Sequence, residues 1–364
     1  MAANSLESNT RVVKEEEDDD ELTLCMEKMV SYVLPMGLRT AFELGVFDIL
    51  AKAGEGAKLS AKDIALHIGT NNPQAPSMLD RLLSLLATHS VLSCSVPQHS
   101  KTFERFYSLS RGSKYFVTDP DGISLGHSMV LLLDQVFYKG WGELTGSIIE
   151  GGVAFNRAHG MNAFEYPSVD PRFNDVFNKG MTGLTTLIMK RIIELYKGFE
   201  HMNKLVDVGG GLGANLKMIT SKYPHVHGIN FDLPHVVQHA PLYAGVEHVG
   251  GDMFENVPPG DAIFMKWVLH DWSDDHCLKL LKNCYKAIPD DGKIIVVDSV
   301  LSIVPEKTAA AKGVLGSDVI MMTQNPGGKE RTQQEFIELA KGSGFTGVTF
   351  ICCVCGFWVM EFYK

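Results

Sequence analysis

Residues 206–219 read VDVGGGLGANLKMI: an acidic residue inside an apolar run, a glycine-rich turn, then a helix-length segment. Glycines at 209, 211 and 213 let a backbone turn tightly and approach a ligand closely. By itself the turn is ambiguous, because dinucleotide sites use a similar one and Ala214 permits the G-x-G-x-x-A form. The surroundings extend the reading. KLVDVGG, HGINFDLP, VEHVGGD, DAIFMKWVL and GKIIVVDSVL are strand-like and separated by helix-length segments, the alternation of a parallel sheet covered on both faces by helices. RTQQEFIELAKGSGF then reads as a helix, and the apolar run from Gly347 as a closing hairpin.

Upstream, the pattern differs. Residues 1–20 end in EEEDDD and are expected to be a disordered acidic tail. Residues 21–118 are expected to be a helical domain. Its first segment, 21–54, is apolar around most of its circumference and broken at Pro35, so its cover is expected to be a second copy of the chain. LSAKDIALHIG, QAPSMLDRLLSLLATHSVL and FYSLSRGSKYFV follow in the order of a winged helix. Arg81 is the only lysine or arginine on the helix that would read bases, which argues against DNA. Residues 119–364 form the remaining domain, with a helical part at 119–200. Within it Phe173, Phe177 and Met181 share a helix face, either core packing or one wall of a flat pocket.

Totals exclude several classes. A net charge of −10 disfavours nucleic acid as a partner, and no apolar run approaches the ~18 residues of a membrane helix. An acidic N-terminus is unlike a signal or transit peptide, and the seven cysteines lack both zinc spacing and an even disulfide framework. The expected location is the cytoplasm. The CCVC run at 352–355 is expected to be buried strand core.

The nature of the cofactor turns on later strand ends. Asp232 is placed to hold ribose hydroxyls, Asp252 to accept from an adenine amino group, and Met253 to pack on the ring. With no arginine near the turn to hold a pyrophosphate, a sulfonium suits these acidic loops better. DVGGGLG, NFDLPHVV, GVEHVGGDMF, MKWVLHDWSDDHCLKLLKNCYKA and NPGGKERT, with the N-terminal VLPMGLRTAFELGVFDIL, resemble the successive motifs of plant caffeic-acid-type O-methyltransferases. The likeness runs from about residue 22 to the C-terminus. It implies an α/β fold: a seven-stranded Rossmann-like methyltransferase domain with an N-terminal helical, winged-helix dimerisation domain. It also implies a homodimer, no metal, and S-adenosyl-L-methionine as cofactor, leaving as S-adenosyl-L-homocysteine. Position by position, Gly209, Asp232, Asp252, Met253 and Lys266 fall on the family's cofactor contacts, with Thr185 near the methionine end.

A phenol with a pKa of about 10 is a poor nucleophile at neutral pH and needs a base. His270, just past the fourth strand, is the candidate, flanked by Glu330 and Asp298 to stabilise the imidazolium. The resemblance expects glutamate where Asp298 stands, so this shorter side chain reaches the histidine less directly. His270, Asp271, Asp274, Asp275 and His276 also suggest a metal cluster, but local spacing without convergent ligands argues against one. Ser273 is expected to cap the next helix.

The pocket implied by the resemblance comprises Leu132, Phe173, Phe177, Met181, Leu184, Met321 and Asn325, with Asp271 near the acceptor hydroxyl. Leu132 and Leu184 replace an asparagine and a histidine, and Gly316 and Ser317 replace larger residues. A roomier, more apolar pocket suits a larger planar phenol such as a flavonoid, coumarin, stilbene or alkaloid better than a small phenylpropanoid acid. The alternatives are an N-methyltransferase of a small amine, or a non-catalytic regulatory or scaffold protein that binds the cofactor.

Overall fold

A computed structural model describes residues 18–97 and 103–364. Most of the expected acidic tail lies outside the described residues, but residues 18–20, assigned to it from composition, are helical and continuous with a helix that runs to residue 29. The chain packs as two units divided between Leu133 and Asp134, beyond the expected boundary at 118/119. The helix Leu125–Leu132 belongs to the first unit, where His127 meets Phe42 edge-on with ring centroids 5.2 Å apart.

In the first unit, a turn at 30–32 precedes the helix Val33–Glu43, so Pro35 falls in a first helical turn, where its missing N–H costs nothing. The helix Ala61–Ile68 opens with a reciprocal capping box between Ser60 and Asp63. Ala75–Thr88 follows, and strands Leu59–Ser60, Leu92–Ser95 and Phe106–Leu109 form a small antiparallel sheet. This is the winged-helix order.

The second unit is built on strands β1 (Lys204–Val208), β2 (His227–Asp232), β3 (Val246–Gly250), β4 (Ala262–Lys266), β5 (Lys293–Leu301), β6 (Gly347–Val354) and β7 (Phe357–Tyr363). Their spatial order is β6-β7-β5-β4-β1-β2-β3, with a two-residue strand, Arg331–Thr332, also pairing with β5. The first five are parallel, and β7 runs antiparallel to β5 and β6. Helices α1 (Pro171–Leu195), α2 (Ala214–Lys222), α3 (Asp274–Ala287), α4 (Ala309–Gln324) and α5 (Gln333–Gly342) accompany the sheet.

Strand alternation explains the two layers. Ile263 and Met265 of β4 point to one face and join Cys277, Leu280 and Leu281 of α3 and Phe336 of α5. Ala262 and Phe264 point to the other and join Ile188 and Ile192 of α1 and Leu216 of α2. The chain leaves β1 for β2 on one side and later returns to place β4 on the other. Beside β1, at the carboxyl ends, lies the crevice where open α/β sheets bind ligands.

The CCVC run departs from expectation. Cys353 and Cys355 are exposed and Cys352 is half-buried, because β6 is an edge strand with a register shift between Phe350 and Cys352 and Cys355 sits in the hairpin turn.

Candidate active site

The glycine turn leaves β1 with φ of +69° at Gly209, +57° at Gly211 and +83° at Gly213, backbone that side chains with a Cβ rarely adopt. A Cβ at Gly209 would stand 2.9 Å from Val268 Cγ2, so this glycine also lets the turn sit against the segment leaving β4. Asp232, at the end of β2, accepts the Gly211 N–H at 2.8 Å and the Leu233 N–H at 2.7 Å. Asp207 is completely buried beneath the turn. Its Oδ2 accepts from Asn215 at 3.1 Å, its Oδ1 has no partner, and burial pushes its pKa up to about 7. It therefore supports the turn and contributes less charge than an exposed carboxylate would.

Asp252 is exposed and accepts the Phe254 N–H at 2.8 Å, while Met253 packs against the core below β3. Lys266 ends β4 nearly buried, donating to Thr185 Oγ1 of α1 at 3.0 Å, with its ammonium 3.1 Å from the Trp267 ring centroid. Burial lowers its pKa to about 7 against the pull of Asp207 and Asp298. Trp267 has φ +58°, a strained conformation for a bulky residue. It turns the chain out of the sheet and into the short 3₁₀ turn Leu269–Asp271. Positive-φ glycines, the orphaned Asp207 oxygen and the acids at successive strand ends fit the cofactor expected from the sequence.

His270 occupies that turn, buried. Its Nδ1 lies 3.0 Å from Glu330 Oε1 and its Nε2 3.7 Å from Asp271 Oδ1. Burial opposes the imidazolium, but Asp271, the Glu330 hydrogen bond and Asp298 outweigh it and push the His270 pKa up to about 10. Burial also raises Asp271, to about 6. Asp298 is fully buried with neither oxygen hydrogen-bonded, and burial pushes its pKa up to about 7. Its one missing methylene leaves it an electrostatic neighbour of His270 rather than a hydrogen-bond partner.

The pocket candidates separate. Phe173 is fully buried, with Phe137, Tyr166 and Phe177 rings around it, the packing of a core aromatic. Phe177 and Leu184 are half-buried and Met181 is exposed, all on α1. Leu132 ends its helix in the first unit and is exposed. Met321 and Asn325 lie along and just after α4, and the Asn325 amide donates to Asp271 Oδ1 at 2.6 Å.

Sequence reading missed Arg331. Its guanidinium, with no exposed surface, donates to the carbonyls of Leu269 at 2.6 Å and Trp272 at 2.7 Å and to Asp274 Oδ1 at 2.8 Å. These acceptors bracket His270 and Asp271. The Lys329 N–H adds a bond to the His270 carbonyl at 2.9 Å. A Cβ at Gly328 would stand 3.0 Å from that same oxygen, so the glycines of NPGGKERT allow the two segments to touch. An arginine beside the candidate glutamate and behind two glycines was the available signal.

In the histidine–aspartate cluster that the sequence reading weighed and set aside as a metal site, His276 Nδ1 bonds Ser273 Oγ at 2.8 Å, and Asp274 pairs with Arg331 and Lys329. Ser273 sits at the N-cap of α3, but its hydroxyl is committed to His276 instead of capping the helix. Among the described residues there is no group of three or more metal-ligating side chains, and no helix is long and apolar enough to cross a membrane.

A parallel sheet closed by the antiparallel β7, with a glycine turn after its first strand and acids at the next strand ends, fits an S-adenosylmethionine-type methyltransferase architecture. Comparison with known proteins agrees. Residues 141–346 match the O-methyltransferase domain model and residues 26–119 the O-methyltransferase dimerisation domain model. The chain is 57% identical to "Cathecol O-methyltransferase 1" of Solanum lycopersicum, covering 98% of this chain and 99% of that one. It is 54% identical to "Anthranilate N-methyltransferase" of Ruta graveolens, covering 96% and 95%. Human N-acetylserotonin methyltransferase, solved in complex with SAM, shares the fold at 23% identity with a TM-score of 0.78, covering 94% of this chain and 97% of that one. The chain belongs to the O-methyltransferase family and is an S-adenosylmethionine-dependent O-methyltransferase.

Proposed function

We propose that the chain methylates a phenolic hydroxyl of a plant specialised metabolite, with His270 as general base. The observation that carries this reading is a buried imidazole two residues past Val268, the residue that meets Gly209 of the glycine turn, with Glu330 on one nitrogen and Asp271 near the other. The sulfonium cofactor supplies, when bound, a methyl group whose leaving group departs neutral, so activating the acceptor is left to the protein. Gly209, Asp232, Asp252, Met253, Lys266 and Thr185 are the residues proposed to hold it.

His270 Nε2, the nitrogen not bonded to Glu330, takes the phenolic proton, and Glu330 holds the ring in orientation and stabilises the charge that forms. A base raised to about 10 matches a phenol of pKa about 10, so the transfer is nearly level in energy. The same shift leaves His270 almost entirely protonated at neutral pH, with about one molecule in a thousand holding the free base. Activity therefore rises with pH through the histidine's apparent pKa, and kcat/KM is expected to be higher at pH 9 than at pH 7.

The pocket reading favours a larger planar phenol. An amine acceptor is the second reading, favoured by the 54% identity to an anthranilate N-methyltransferase. We further propose a cytoplasmic homodimer without metal, nucleic-acid or membrane partners, joined through the N-terminal helices, where Leu22, Met26, Met29 and Tyr32 are all exposed. Labelled S-adenosylmethionine, incubated with a panel of phenols and amines with and without excess chelator, tests the whole. Methylated phenol, unchanged by chelator, is expected. A magnesium requirement would remove the metal-free mechanism, and a blank panel with cofactor still bound would favour the non-catalytic alternative.

A further inference from the structure

Ser317 and Met321 of α4 and Asn325, just after it, follow one another at intervals of four along one side of the helix. Ser317 donates its hydroxyl to Glu330 Oε1 at 2.6 Å, the oxygen that also accepts from His270 Nδ1 at 3.0 Å. Asn325 donates to Asp271 Oδ1 at 2.6 Å, the oxygen that stands 3.7 Å from His270 Nε2. Both carboxylate oxygens that face the histidine are thus held from the same helix side. Asp298, the third acid, has no such donor.

We propose that Ser317 is a positioning residue that sets the basicity of His270 by sharing Glu330 Oε1 with it. The inference rests on His270 being the general base. The physical argument concerns one oxygen with two donors. A hydroxyl hydrogen bond stabilises the carboxylate and draws on the lone pairs that would otherwise serve the imidazolium alone. The pull of Glu330 on the histidine proton weakens, and the base is released at a lower pH.

The groups facing His270 are Asp271 on its own turn, Glu330 from the segment after α4, and Asp298 from β5, all acidic. Arg331 and Lys266 bring the nearby positive charge to Asp298, not to the imidazole directly. Asp318, next to Ser317, accepts the Glu330 backbone N–H at 2.9 Å, so the Glu330 main chain stays anchored when the hydroxyl is removed. With three acids around one imidazole, the hydroxyl of Ser317 is the neutral donor that moderates the Glu330 oxygen. The residue occupies a position where the sequence resemblance expects a larger side chain.

The test is the pH profile of kcat/KM for Ser317→Ala and Ser317→Thr, with cofactor Kd measured beside it. Losing the hydroxyl should move the ascending limb up by about 0.5–1 unit, so kcat/KM at pH 7 falls about three- to tenfold and recovers by the high-pH plateau. Ser317→Thr keeps a donor and should restore the wild-type limb. A limb that does not move, a loss equal at every pH, or a threonine variant as impaired as alanine would each overturn the proposal. His270→Asn in the same series separates the two readings. If it retains turnover, the general-base assignment fails; if it is inactive while Ser317→Ala titrates like wild type, only the role of Ser317 fails.

Discussion

His270→Ala is expected to lower kcat toward a phenol by about 10²–10⁴-fold while leaving the cofactor Kd within about twofold of wild type. The imidazole presents a nitrogen that Glu330 does not bond and that lies 3.7 Å from Asp271, so its loss removes the proposed base. Isothermal titration with S-adenosylmethionine and single-turnover kinetics separate binding from chemistry. The flanking acids should rank by contact. Glu330→Gln, which removes the charge from the oxygen bonded to Nδ1, is expected to cost about tenfold or more. Asp298→Asn, at a side chain without a hydrogen bond, should cost less. With an amine acceptor, which attacks in its neutral form, His270→Ala should lose far less, and that contrast distinguishes oxygen from nitrogen chemistry. Wild-type turnover of phenol by the alanine variant would end the general-base assignment.

Arg331→Leu carries the largest expected loss of stability. A fully buried guanidinium bonded to two carbonyls and a carboxylate cannot be removed without leaving those oxygens short of donors. Breaking such an arrangement costs about 3–5 kcal/mol, readable as a lower urea midpoint. Asp274→Asn, at a half-exposed side chain, keeps both carbonyl bonds and should cost only about 1 kcal/mol. Equal destabilisation by the two substitutions would show that the salt bridge, not the carbonyl bonds, holds the turn. The surviving folded fraction of the leucine variant should also turn over slowly, because the bonds it lacks are those that frame His270 and Asp271.

Local chemistry was legible in the chain. Apolar runs alternating with helix-length segments marked the five parallel strands, an apolar run at the end marked the closing hairpin, the glycines marked the turn after β1, and a histidine directly after a buried strand marked the candidate base. These features depend on residues near one another in sequence, where period and backbone preference leave a signature. Exposure of the CCVC run did not follow from its composition, because an edge strand and a central strand have the same local pattern. Phe173 and Phe177 likewise share a helix face, yet the tertiary packing buries the first completely and the second only in part.

What the sequence determined by itself is the strand order along the chain, the glycine turn and the identity of the titratable groups. Which of those groups meet was decided only by the tertiary structure. His270 meets Asp271 and Glu330, whose oxygen it shares with Ser317; Asp298 is left without a hydrogen bond; and Arg331 grips the turn that carries the histidine. Apart from the contact of His270 with its neighbour Asp271, those pairings join segments distant in the chain, and they depend on side-chain reach, which no sequence period encodes.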